Sequence, residues 1–427
     1  MKALLRRLSA ASLLLALSSF VSAATPSITG LWEGTALFRG HDIPLRLQIT
    51  GSPSALHAAL LNGVERSPAS SATFQNGKLL LNFNYFARTL EATLVDGQLS
   101  GTFGSTSTGP HSTPRMPITL HRATAASTSA AGPDIHGDWE VAVSSAKGET
   151  AWQLLIEPAQ RADTPAAIRA VIQRIDGDTG SLYGSWDGHR YLVSHFTASG
   201  PALYSFTPQP NGTLLVSNLI PTEAQKDRST NLVARRPAEA RRENLPPPTE
   251  STQQTRMKDP SAPLTFSFPD LSGQQVSSSD ARFRNKVVIV AIGGSWCPNC
   301  HDEAPLLQSL YKQFHSRGLE IVSLSFEEED QLHNPTRLRA FIQRYGITYP
   351  VLIAGTPDDL NQKLPQAEDL NSWPTSFFIG RDGRVREIHA GFAGPANPPA
   401  HQALEREVTA LVEKLLAEPS PTRKASF

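Results

Sequence analysis

Two cysteines are all that 427 residues contain, and that scarcity excludes several classes of protein. A fold stapled by disulfides needs several pairs, so this chain must be held by ordinary hydrophobic cores. A structural zinc site wants four ligands, and there are no thiols beyond the pair to supply them. No cysteine follows the small residues Val21-Ser22-Ala23, so a lipid anchor on an N-terminal cysteine is not expected. Past the first two dozen residues no apolar run approaches the roughly 20 residues of a membrane span. A charge of one sign is also lacking: 39 basic residues balance 39 acidic ones, which argues for neither nucleic acid nor an anionic membrane surface as partner. Methionine is scarce too, with only Met116 and Met257 after the initiator.

What is present begins with a leader. Lys2, Arg6 and Arg7 precede an apolar stretch over residues 8–21 and then small residues at 21–23, so residues 1–23 read as a secretory signal peptide. Its removal takes away three positive charges and no acid, leaving a net of −3. The mature protein is expected to be exported and soluble.

Proline, serine, alanine and charge mark two linkers, 124–133 and 236–261, the second holding Pro246-Pro247-Pro248. They divide the chain into a β-rich unit over 24–123, a second over 134–235 and a third unit over 262–418, with a disordered tail at 419–427. At about 150 residues per domain, three units suit this length. The first two read as copies: Ile28-Thr29-Gly30-Leu31-Trp32-Glu33 is echoed by Ile135-His136-Gly137-Asp138-Trp139-Glu140 at an offset of 107. Ile43, Leu45, Leu47 and Ile49 alternate with polar or proline positions, and so do Leu79, Leu81, Phe83 and Tyr85, the period of half-buried strands. The pairs Asn76-Gly77, Asp96-Gly97, Asp187-Gly188 and Asn211-Gly212 supply hairpin turns. Two antiparallel barrels or sandwiches are expected, with Trp32 and Trp139 plugging their cores rather than flooring a ligand pocket.

The third unit changes period. Strands are expected at 286–292, 319–326, 375–379 and 385–390, and helices at 302–315, 336–345 and 401–417. That alternation indicates an α/β fold. Both cysteines lie at its first strand-to-helix junction, in Trp296-Cys297-Pro298-Asn299-Cys300. Two thiols at this spacing can close into a disulfide and reopen by exchange. Cys297, at the helix mouth, meets unpaired N–H groups and the positive end of the helix dipole, which suits a thiolate nucleophile. Cys300, a turn further in, becomes the resolving thiol.

These features, with Ala304-Pro305 after the pair, Trp373-Pro374-Thr375 before a strand and Phe378-Ile379-Gly380-Arg381-Asp382-Gly383 beyond it, make residues 262–418 resemble the thioredoxin-fold domains of the TlpA/ResA type. The two β-rich units lie outside the resemblance. It implies an exported thiol-disulfide oxidoreductase, a reductase of protein disulfides in the bacterial periplasm. Such an enzyme works through a mixed disulfide on protein or small-molecule thiols and disulfides, is kept reduced by a membrane thiol-disulfide partner, and needs no cofactor or metal. It also implies a cis peptide at Pro374 opposite the cysteines, and an acid at Glu303 that moves protons to and from Cys300. Trp296, Trp373 and Thr375 are then expected to contact substrate. The chain departs from the pattern at Ala291, where thioredoxins keep a buried aspartate, and at Gly293-Gly294-Ser295, where bulkier residues are usual.

Two rival readings remain. Cys297-Pro298-Asn299-Cys300-His301 also satisfies the c-type haem attachment pattern, although neither remaining methionine lies in the third unit. Alternatively the β units are the working part, an envelope binding protein with an accessory redox domain. A peroxidase of the Pro-x-x-x-Thr-x-x-Cys type is not indicated, since Val290 and Gly294 stand where its proline and threonine would be. His301 is expected either to sit as a cation beside the thiol or to face solvent, and 327–330, Glu-Glu-Glu-Asp, to form a solvated loop.

Overall fold

The computed structural model describes residues 27–107, 109, 112–124, 131–159 and 167–419. The signal segment and nearly all of the expected tail lie outside the described residues. Among those described, no helix is long and apolar enough to cross a membrane.

The first unit is a nine-stranded antiparallel meander running from Gly30–Phe38 to Met116–Arg122. Its first and last strands pair, with Trp32 opposite Arg122 and Ala36 opposite Ile118. The strands Glu65–Pro68 and Ser71–Gln75 are left as two edges, which makes a half-barrel. The second unit goes further. Its first strand, Gly137–Ala142, pairs with its last, Leu232–Arg235, and Ala151–Pro158 pairs with Ile168–Arg174, closing the sheet into a barrel.

Alternation produces both. Ile43, Leu45, Leu47 and Ile49 along His41–Ser52 are all buried, with more exposed residues between them. At Asn76-Gly77 and Asp96-Gly97 both residues take positive φ, 50° and 76° in the first pair and 49° and 80° in the second, as a tight hairpin requires. Asp187-Gly188 and Asn211-Gly212 have positive φ only at the glycine among the two. Tyr85 departs from the expected alternation: the strand Lys78–Phe83 ends before it, and Asn84–Phe86 forms a single 3₁₀ turn.

The repeat extends to side-chain detail. Trp32 is buried with its indole N–H donated to Ile28 O at 2.9 Å, and Arg122 lies over its ring at 4.2 Å. Trp139 makes the same bond to Ile135 O at 2.9 Å beneath Arg236 at 3.8 Å. Each indole thus fills a core and satisfies its one donor locally. The units also share a core, since Phe196, Ala198, Leu203 and Ile220 of the second pack into the first, with Phe196 edge-on to Phe103.

In the third unit the elements that position the site are β1 (Val287–Gly293), α1 (Pro298–Phe314), β2 (Leu319–Phe326), α2 (Thr336–Tyr345), β3 (Val351–Gly355), β4 (Thr375–Ile379), β5 (Val385–Ala390) and α3 (Pro398–Ala417). The sheet order is β3-β2-β1-β4-β5, with β1, β2 and β3 parallel and β4 and β5 antiparallel to their neighbours. Every residue of β1 is buried, because apolar clusters cover both faces of the sheet. The stretch 236–261 carries two short helices, Pro237–Arg242 and Ser251–Gln254, and the strand Arg256–Met257, which pairs with Ala367–Glu368.

Candidate active site

The apolar run of β1 carries the chain to the end of the sheet, and α1 starts immediately with Cys297 as its N-cap and Pro298 as its first residue. The helix begins earlier than the expected 302, because proline at the first helical position gives up no hydrogen bond and presets φ. Cys297 Sγ accepts the N–H of Cys300 at 3.2 Å, so the sulfur does the work of a capping oxygen. Both cysteines are free thiols and both are buried, Cys297 at 3% exposure. Burial first, and then the hydrogen bond with Cys297, hold the Cys300 thiol well above its ordinary pKa.

Glu303 lies one turn beyond Cys300, buried, and its Oε1 accepts Ser376 Oγ–H at 2.7 Å. Burial pushes its carboxyl up to about 7 against the hydrogen bond from Ser376. Cys300, Glu303, Ala291 and Tyr349 together line a cavity of about 20 Å³. The small side chain at Ala291 leaves that space, and Glu303 reaches it from the helix side.

The Trp373–Pro374 peptide is cis. Trp373 packs against the apolar layer and also edge-on to Trp296, with ring centroids 5.4 Å apart, so it is both a core residue and part of the site wall. Gly294 explains the Trp296 pose. A Cβ there would stand 2.3 Å from the indole nitrogen, whereas its absence lets Trp296 donate to Phe326 O at 2.9 Å. Thr375 is not brought to the site. It is fully buried, with its hydroxyl donated to Ser372 O at 2.8 Å, and so fixes the bend before β4 instead of meeting substrate.

Two expectations are overturned. Glu327 and Glu328 are buried, not solvated, and 329–333 is a short helix. Arg337 of α2, equally buried, reaches Glu327 at 2.9 Å and Glu328 at 2.5 Å and donates from Nε to Ser295 Oγ at 2.8 Å. Glu327 in turn accepts the N–H and hydroxyl of Ser295, each at 2.7 Å. This network anchors the residue two before Cys297, and sequence reasoning missed all of it. The available signal was an arginine ten residues beyond an acidic pair at a strand end.

His301 is neither a cation nor exposed. Its Nε2 lies 2.9 Å from Ser295 O, its Nδ1 3.1 Å from the Tyr345 hydroxyl, and Phe86 of the first β unit stacks on it with centroids 4.0 Å apart. Burial drives its pKa down to about 3, so it is neutral. With both ring nitrogens engaged it has none to offer haem iron, and the haem reading does not fit these residues.

An α/β sheet of this order with a Cys-x-x-Cys pair capping α1 and a cis-proline before β4 defines a thioredoxin-fold domain. Residues 260–388 match the AhpC/TSA family. Among curated proteins, the chain is 32% identical over 122 residues to the thiol-disulfide oxidoreductase ResA of Bacillus thuringiensis (strain Al Hakam), a match covering 29% of this chain and 64% of that protein. It is 31% identical over 127 residues to ResA of Bacillus subtilis (strain 168), covering 30% and 64%. The chain thus spans 64% of the length of these relatives. A thioredoxin family thiol:disulfide interchange protein of Chlorobium tepidum TLS is similar in structure at 25% identity, covering 38% of this chain and 99% of that one with a TM-score of 0.30.

Proposed function

We propose that this protein is an exported thiol-disulfide oxidoreductase that reduces disulfides in the periplasm, with Cys297 as nucleophile, Cys300 as resolving thiol and a membrane thiol-disulfide partner as its source of electrons. The observation that carries the reading is the capping geometry: the Cys297 sulfur accepts a backbone N–H at the positive end of α1, while Cys300 is held as a thiol beside a buried acid. Cys297 thiolate attacks a substrate disulfide and one substrate thiol leaves. Glu303, as carboxylate, takes the Cys300 proton, and the Cys300 thiolate attacks Cys297 to release the second thiol. Trp296 and Trp373 offer apolar contact beside the sulfur.

Equilibration in glutathione and dithiothreitol buffers tests the reading. Both thiols should disappear together in one two-electron transition near the potential of thioredoxin, about −270 mV, whereas a value near that of DsbA, about −120 mV, would mark an oxidase. No intramolecular disulfide at any potential would overturn the reading altogether.

Glu303→Gln should remove an ionisation near pH 7 from the rate profile of exchange. Burial raises the folded carboxyl from its ordinary 4.5 to about 7, so folding binds a proton between those pH values. The stability Glu303 contributes is complete below about pH 4.5 and lost as pH rises through about 7. Relative to the glutamine variant, the wild type should lose on the order of 3 kcal/mol between pH 4 and pH 9. Parallel stability curves for the two proteins would remove the buried acid from the mechanism.

A further inference from the structure

The dithiol does not open on a free surface. It opens into a chamber of about 1000 Å³ walled by all three units. The first unit supplies Glu65, Tyr85 and Phe86, the second Arg174, Asp176 and Asp178, and the third Trp296, Cys297 and Trp373. Specific contacts hold the walls together. Phe86 stacks on His301, and Arg344 of α2 lies over the Tyr85 ring at 4.1 Å.

The turn at Asp176 enters the thioredoxin groove itself. Asp176 O accepts Asn299 Nδ2 at 3.0 Å, from within the Cys-x-x-Cys motif, and the N–H of Phe392 at 3.1 Å. Asp176 Oδ1 accepts the N–H of Trp373 at 3.1 Å and is ion-paired with Lys147. The fit is too close for side chains on either backbone. At Gly177, φ is +131° and a Cβ would stand 2.3 Å from Phe392 O; at Gly391, φ is +74° and a Cβ would stand 1.8 Å from Ile175 O. The backbone donor beside Pro374, where a protein substrate would lay its chain alongside the cysteines, is therefore taken by the protein's own second unit.

We propose that this chamber is the substrate pocket, and that it selects a disulfide of oligopeptide size bearing both positive and negative charge over one on the surface of a folded protein. The proposal rests on the thiol-exchange reading of Cys297 and Cys300. Its size matches small-molecule sites, which span roughly 300–1000 Å³ and favour domain interfaces. Its walls carry both signs, with Arg66, Lys147 and Arg174 among the bases and Glu65, Asp176 and Asp358 among the acids. In each turnover the substrate S–S bond breaks as the Cys297–S bond forms. Cys300 then displaces the second substrate sulfur, so two electrons and two protons pass from the dithiol to give two thiols, and the protein ends as the Cys297–Cys300 disulfide.

Single-turnover kinetics of the pre-reduced full chain test this, with oxidised glutathione and insulin as probes. Glutathione disulfide should react at least about tenfold faster than insulin. Asp176→Ala frees the Trp373 donor, and should raise the insulin-to-glutathione rate ratio at least about tenfold; Lys147→Ala, which removes the partner holding Asp176, should move it in the same direction. Insulin reacting as fast as glutathione in the wild type, or a ratio that neither variant moves, would overturn the pocket and leave the dithiol reading intact. Reaction with neither probe would overturn both.

Discussion

Cys297→Ser is expected to slow disulfide exchange on the order of 10³-fold or more, because the nucleophile is lost and Cys300 cannot replace it. The reason is geometric and electrostatic together. Cys297 lines the chamber and caps the helix, whereas Cys300 lies inside, its thiolate disfavoured by burial. Cys300→Ser should fail differently. The first attack still occurs, the second cannot, and a mixed disulfide on Cys297 accumulates toward one per protein, readable by intact mass under non-reducing conditions. Accumulation in the serine variant at 297 and none in that at 300 would reverse the two roles.

Arg337→Ala is expected to cost about 3–5 kcal/mol, the penalty for removing one member of a buried ion-pair network. Arg337 lies between Glu327 and Glu328, all three essentially solvent-free, and its Nε also holds the Ser295 hydroxyl. Removing it takes the guanidinium away from two buried carboxylates and releases its hold on the Ser295 hydroxyl before Cys297. Urea unfolding followed by tryptophan fluorescence reads the loss, and a change under about 1 kcal/mol would mean that water or a rearranged side chain replaces the guanidinium. Exchange should slow as well, since the Ser295 hydroxyl then keeps only its bond to Glu327.

Nothing local in the sequence marks this network. Acidic runs after a strand are usually solvated, and Glu327-Glu328 looks no different locally. They are buried because β2 is an interior strand, flanked by β3 and β1, and α2 folds back over its end, bringing Arg337 from ten residues away in sequence to 2.9 Å in space. His301 shows the same limit. Phe341 and Tyr345 of α2 pack on its ring from within the third unit, and Phe86, 215 positions earlier, stacks on it from the first. Strand β3 was legible in principle, since Val351-Leu352-Ile353-Ala354 is an apolar run after a proline, but four residues are too few to tell a strand from a helix.

Patterns with short reach were readable directly. The pair of thiols, the apolar strand before it, the turn chemistry of Asn76-Gly77 and Asp96-Gly97, and the Ile28/Trp32 and Ile135/Trp139 repeat all depend on neighbours within a few residues. Local hydrogen bonding and backbone preference decide such features, so the sequence by itself determined two antiparallel β units, an α/β domain and a dithiol at a helix N-terminus. Tertiary structure alone decided what surrounds that dithiol. The chamber walls, the Asp176 turn over the Cys-x-x-Cys groove and the Phe86 stack on His301 depend on contacts between units more than 100 residues apart. No periodicity encodes such contacts, because they follow from how three finished surfaces fit and not from the preference of any one segment.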